Sequence, residues 1–314
     1  MLMNKSMDLV SIVIVTAGSK DYLVSCLDSL NKQSYRKTEI IVIDNSWDNN
    51  LIQCICRRCP GINIYRENSK FSYCDSLNFG INKASGDFIL CLNDDVVLDE
   101  RYIEYALGGF FIDPEIGMVS GKILRSNGKI LDSTGLFLSP WRTAKERGYG
   151  LVDVNRFNVQ EYVFGVTGAV AFYRRKMLED IQEGKDFFDT DFHFFYEDLD
   201  VAWRAQRCGW KGYYLPRALA YHVRGGTARD ERGIDQPHAR RYISDQLLFD
   251  LVKNRYLAMI KNELWWGFLL HLPFLLFYEI FNWGYLLFFK PQLIRLVFSN
   301  LNYFNSAWVK RIRS

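Results

Sequence analysis

Several common signatures are missing from this 314-residue chain, and each absence excludes a class of function. No G-x-G-x-x-G follows the first apolar run and no G-x-x-x-x-G-K-[ST] occurs anywhere, so neither dinucleotide binding nor P-loop phosphate binding is supported. No Ser/His/Asp or Cys/His signature of a covalent nucleophile is present. The formal net charge is only +3, with basic residues scattered along most of the chain, which argues against a nucleic-acid partner. Met1 to Asp8 is polar, with no apolar run of signal-peptide length, and the seven cysteines are odd in number. Thiols in a reducing compartment, and a cytoplasmic catalytic part, are therefore expected. Cys54, Cys56 and Cys59 lack a fourth partner at zinc spacing and fall in a helical pattern.

What is present is a chain that buries a large core: 49% of its residues are hydrophobic and 24% charged, enough for one big domain plus an appendage. Its first half alternates β-branched runs with helical patterns. Val10 to Val15, Glu39 to Ile43, Asn63 to Tyr65 and Phe88 to Leu92 predict strands; Asp21 to Leu30, Asn49 to Arg58 and Ser72 to Ala84 predict helices. Such alternation predicts a parallel sheet covered by helices, with ligands outside the carboxyl ends of the strands.

The polar residues ending those strands are therefore the informative ones. They are Thr16-Ala17-Gly18, Asp44-Asn45-Ser46 and Asn93-Asp94-Asp95. A carboxylate such as Asp44 can accept from a base N–H or a ribose hydroxyl. The triplet Asn93-Asp94-Asp95 is either a turn or an oxygen-rich site for a divalent cation bridging a diphosphate. Further on, Glu197, Asp198 and Asp200 place three carboxylates in four residues at a helix start, directly after Phe194-Phe195-Tyr196. Acids emerging from an apolar wall are where a general base is made; a helix N-terminus that favours acids is the plainer explanation. Gly165-Val166-Thr167-Gly168-Ala169 suits either a backbone approaching a sugar or a strand bulge. The polar loop after His222, with Arg224 and Arg229, is either a closure over a diphosphate or a solvated linker.

In order, Val10 to Thr16, Cys26-Leu27-Asp28-Ser29-Leu30, Gln33, Asp44-Asn45-Ser46-x-Asp48, Glu67-Asn68, Phe71-Ser72 and Asn78-x-Gly80 are followed by Asn93-Asp94-Asp95, Gly168-Ala169, Arg174-Arg175, Glu197-Asp198-x-Asp200, Arg204 and His222. Across about residues 10 to 260 this series resembles the family-two glycosyltransferases of GT-A fold, and within them the rhamnosyltransferase-like enzymes of bacterial surface-polysaccharide assembly. The chain departs from its relatives at Lys70, often a glycine there, and at Ala17-Gly18, often Tyr-Asn.

The resemblance implies an α/β fold with a nucleotide-sugar-binding sheet flanked by helices over residues 1–245. The activity it implies is inverting, metal-dependent transfer of a sugar, with rhamnose a candidate, from a nucleotide-diphosphate donor to a hydroxyl of a lipid-linked or cell-envelope glycan. It assigns Thr16, Asp44, Asn68, Asn93 and Asp94 to the nucleotide sugar, and Asp95 and His222 to manganese or magnesium. Asp198 becomes the general base with Glu197 in support, and Gly168, Asp200, Arg204, Arg224 and Arg229 the acceptor or diphosphate side. Asp200 and Arg204 stand one helical turn apart, so an ion pair between them is expected. A non-catalytic sugar-binding module, or a nucleotidyltransferase on a related sheet, is the alternative.

From about residue 246 to 314 the composition turns helical and apolar. Leu264 to Phe289 is rich in Trp, Phe and Leu yet interrupted by His271, Pro273, Glu279 and Asn282, which fits a simple lipid-exposed span poorly. Lys290, Arg295, Lys310, Arg311 and Arg313 follow with no acidic residue. Together these predict a peripheral anchor on an anionic cytoplasmic membrane face, with an oligomer interface as the other use of an apolar patch.

Overall fold

The structure is a computed structural model, and it describes residues 8–46, 48–58, 61–66, 71–224 and 244–313. Strands β1 (Val10–Thr16), β2 (Thr38–Asp44), β3 (Asn63–Tyr65) and β4 (Phe88–Asn93) alternate with helices α1 (Lys20–Asn31), α2 (Asn49–Arg58) and α3 (Tyr73–Lys83). Then come β5 (Val96–Leu98), α4 (Tyr102–Gly109), β6 (Ile116–Arg125), β7 (Leu131–Ser133), β8 (Leu136–Leu138), β9 (Ala144–Glu146), β10 (Glu161–Val163) and β11 (Val170–Arg174). Helices α5 (Arg175–Asp180) and α6 (Glu197–Arg207) and strand β12 (Lys211–His222) complete the sheet domain. Four helices close the chain: α7 (Asp245–Asn262), α8 (Trp265–Phe289), α9 (Pro291–Ser299) and α10 (Leu301–Arg313).

The main sheet runs β10-β12-β6-β11-β4-β1-β2-β3, with β5 on β12 and β7 on β6. As expected, β1, β2, β3 and β4 are parallel; their near-continuous apolar runs suit strands covered on both faces. The sheet is nonetheless mixed, because β11 inserts antiparallel between β4 and β6. Helix α3 lies close on this sheet: a Cβ at Gly80 would come within 2.4 Å of Val13 Cγ1. In β12 the pairing with β6 slips between Leu215 and Leu219, around Pro216, which cannot donate to the ladder. This long strand carries His222 to the same end of the sheet as Thr16, Asp44 and Asn93.

Composition changes where α7 begins, but packing does not. Leu257 and Ala258 of α7 and Ala307 of α10 join the same apolar cluster as Leu199 and Val201 of α6. Helix α8 keeps its polar residues on one inward face: Glu279 accepts from Arg255 at 2.5 Å and from Tyr256, His271 faces Arg142 at 3.0 Å, and Asn282 is buried. The residues that interrupt the apolar run are thus its attachment to the protein. Its other face is bare: Trp266 is 83% exposed, Phe288 79%, Leu270 73% and Ile280 71%.

Candidate active site

One cluster of polar side chains lies at the carboxyl ends of the parallel strands, where α/β sheets bind ligands. Thr16 Oγ1 donates to Asp94 Oδ2 at 2.7 Å. Burial, with the neighbouring Asp95 charge, lifts the Asp94 carboxyl to about 6 even though that hydroxyl pulls it down. Asp44 accepts from the Ser46 amide at 2.8 Å and from Arg66 Nε at 3.0 Å, an arginine that the strand pattern did not single out. Asn93 Oδ1 accepts from the Tyr73 hydroxyl at 2.8 Å, and that hydroxyl also reaches the Gly168 carbonyl at 3.3 Å. Asn68 lies outside the described residues.

Beside it, His222 Nε2 stands 3.2 Å from Asp95 Oδ1, while its Nδ1 stands 2.8 Å from Asp132 Oδ2. Burial disfavours the imidazolium, but hydrogen bonds to Asp132 and Asp95 outweigh it and raise His222 to about 9. Burial would likewise raise Asp132; His222 and Arg224 instead hold it below the ordinary value. The donor set suits a divalent cation: one hard carboxylate, one imidazole nitrogen, and an outer carboxylate fixing the ring's other nitrogen. Among the described residues no three His, Cys, Asp or Glu side chains form a cage, so Asp95 and His222 would supply only part of a cation's coordination. Arg224 lies beside this set: its Nε donates to Asp132 Oδ1 at 2.5 Å and its guanidinium lies 4.8 Å from the Tyr149 ring. Arg229 lies outside the described residues.

The acid cluster opens α6. Phe195 (φ 69°) and Tyr196 (φ 71°) are both left-handed, a conformation costing about 1–3 kcal/mol for a non-glycine residue and concentrated at functional sites. Asp198 accepts from the Gly168 amide at 2.9 Å and from its neighbour Leu199 at 2.7 Å. Burial raises Asp198 above the ordinary carboxylate value, and burial plus the Asp198 charge raises Glu197. Glu197 Oε2 is buried with no hydrogen-bond partner. A third acid, Glu146 on β9, accepts from Ser133 and Thr167; burial and the Asp198 charge push it up to about 8. Neither Glu146 nor Asp132 was singled out from the sequence.

Asp200 and Arg204 do pair, at 2.9 Å, but they do not line an acceptor or diphosphate face. Asp200 is fully buried, with Oδ2 also taken by Lys261 at 3.0 Å and Oδ1 by Asn262 at 2.8 Å. The Arg204 guanidinium is spent on the carbonyls of Ile181 and Phe187. A buried carboxylate needs such partners, and α7 supplies them.

Comparison with known proteins agrees with this geometry. A profile described as glycosyltransferase like family 2 matches residues 8–244. The poly-beta-1,6-N-acetyl-D-glucosamine synthases of Staphylococcus aureus (strain MSSA476) and Staphylococcus epidermidis are each 22% identical over 221 residues, 68% of this chain and 49% of theirs. The chain thus spans about half the length of these curated relatives. A crystal structure of GalNAc-T7 with UDP, GalNAc and Mn2+ superposes with a TM-score of 0.61 at 16% identity, covering 84% of this chain and 50% of that one, and so shares its fold.

Proposed function

The chain belongs to the glycosyltransferase-like family 2, and from that premise we propose that it moves a sugar from a nucleoside-diphosphate sugar to a glycan hydroxyl by a single inverting displacement. The observation that carries this reading is two polar sites joined through Glu146: Asp95 and His222 at 3.2 Å, backed by Asp132 and Arg224, and the buried, raised-pKa acids Glu197 and Asp198, with Glu146 feeling the charges of both Asp198 and Arg224.

Asp198, once ionised, takes the proton of the acceptor hydroxyl as that oxygen bonds to the anomeric carbon. The bond from that carbon to the diphosphate oxygen breaks in the same step, and the nucleoside diphosphate leaves with the electron pair. No covalent sugar–enzyme bond is needed, so configuration inverts. Thr16, Asp44, Asn93 and Asp94 orient the nucleotide. Asp95 and His222 would hold manganese or magnesium, which supplies counter-charge to the departing diphosphate.

Rhamnose, from the resemblance, and N-acetylglucosamine, after the polymer in the relatives' names, lead the donor candidates; the acceptor proposed is a lipid-linked or cell-envelope glycan. A panel of nucleotide sugars with Mn2+ tests the reading. The true donor stabilises the fold by RT ln(1 + [L]/Kd), about 2.7 kcal/mol at a hundredfold excess over Kd. A panel in which none stabilises and none is consumed would contradict it.

We further propose that the bare face of α8 rests on the inner surface of the cell membrane without crossing it. The helix is long and apolar enough to span, with 17% of its most apolar window buried. Yet its attachments to Arg142, Arg255 and Tyr256 recur along its length, as they would for a helix lying flat on the domain. The anionic-surface expectation weakens: Lys290 pairs with Asp245 at 2.6 Å, Lys310 with Asp191 at 2.7 Å, and Arg311 donates to Ile260 O at 2.7 Å. Apolar burial, rather than charge, is left as the main attraction.

A further inference from the structure

The turn that presents Glu197 and Asp198 is held by a helix beyond the stretch matched by the family profile, which ends at residue 244. Asn254 of α7 is fully buried, and its Nδ2 donates to the Phe194 carbonyl at 2.7 Å and to the Phe195 carbonyl at 2.8 Å. Its Oδ1 is buried with no hydrogen-bond partner, so the side chain is placed for its donor end; the reverse orientation would set oxygen against two carbonyl oxygens. Next to it, Lys253 Nζ donates to the Asp191 carbonyl at 2.8 Å.

These bonds meet a need that the turn does not satisfy itself. Phe195 and Tyr196 are left-handed, and Tyr196, the N-cap of α6, makes no side-chain capping bond. Strained backbone persists only where its surroundings over-determine it. The carbonyls that Asn254 grips belong to the two residues before Tyr196, and Asp198 follows two residues after it.

We propose that Asn254 is a positioning residue for sugar transfer, its amide clamping the Phe194 and Phe195 carbonyls so that the left-handed turn aims Asp198 at the acceptor. This rests on Asp198 being the base. A shift of the base by about 1 Å costs on the order of 10²-fold in rate while leaving a remote donor site alone.

The test is Asn254→Ala beside Asn254→Ser, which keeps one donor, read by kcat, donor KM, affinity for UDP with Mn2+, and hydrogen exchange at the Asp198 and Leu199 amides. For Asn254→Ala the expected result is an approximately 10²-fold lower kcat, donor KM and UDP affinity within about twofold, and faster exchange at both amides. Asn254→Ser recovers part of the rate. A wild-type kcat in folded Asn254→Ala, or a fall in UDP affinity as large as the fall in kcat, overturns the proposal. Should Asn254→Ala fail to fold, Asn254→Ser decides alone: reduced kcat at unchanged donor KM supports the clamp, and wild-type kcat overturns it. If Asp198→Asn turns over normally, the base assignment is what has failed; the exchange experiment, which needs no turnover, still reports whether Asn254 holds the turn.

Discussion

The backbone amide of Gly168 donates to Oδ2 of Asp198 at 2.9 Å, joining the loop before β11 to the first turn of α6. One carboxylate oxygen is thereby fixed to the scaffold, as the proposed base would require to meet an acceptor in one geometry. A side chain at Gly168 would intrude: its Cβ would come 3.2 Å from Glu197 Oε1 and 3.5 Å from Asp198 Oδ2. Gly168→Ala should lower kcat with little change in affinity for the donor's nucleoside diphosphate and Mn2+, and Gly168→Val should lower it further. Steady-state kinetics beside calorimetric binding checks this.

Glu146 gives the chain a pH signature. Its folded pKa of about 8 lies above the ordinary 4.5, so between those values the folded state holds a proton that the unfolded chain has lost. Stability therefore falls as pH rises through that window. Glu146→Gln should flatten this part of the curve, seen in urea denaturation at stepped pH; an unchanged slope would mean that Glu146 ionises normally in the fold.

Asp132 is predicted to act through His222. With the acceptor of the His222 Nδ1 hydrogen bond gone, Asp132→Ala should weaken Mn2+ binding about 10–100-fold, the usual cost of losing such an outer partner. EDTA should abolish transfer in the wild type, and the variant should need more added Mn2+ to recover.

Membrane attachment should hardly respond to salt. Trp266→Glu with Phe288→Glu should release the chain from vesicles, whereas raised ionic strength or a switch from anionic to neutral lipid should not. Point changes suit this test better than truncation: Glu263 pairs with Arg142, and Lys310 with Asp189 and Asp191, so cutting away the C-terminal helices exposes buried charge.

Three strand ends were legible because each closes an apolar run: Thr16, Asp44 and Asn93 sit where the sequence pattern places them. The place of Asp198 in the first turn of a helix was legible because three acids follow an aromatic run. Asp132 and Glu146 were not, since each lies on a three-residue strand too short to show a period. Asp132 meets His222 across 90 residues, a pairing that no local signal carries. The Asp200–Arg204 pair was visible from its spacing, but Lys261 and Asn262, which bury it, lie some 60 residues on. Polar residues in α8 looked like interruptions of an apolar helix until the fold gave them Arg142, Arg255 and Tyr256 as partners.

The most direct test of the account is Asp198→Asn, assayed for transfer and, separately, for binding of the donor's nucleoside diphosphate with Mn2+. The substitution removes the proton acceptor while keeping the shape of the side chain. Turnover should fall by at least about 10²–10⁴-fold with nucleotide affinity nearly unchanged, and Glu197→Gln should lose less. Near-normal turnover in Asp198→Asn would contradict the assignment of the base, and with it the mechanism built on this acid pair.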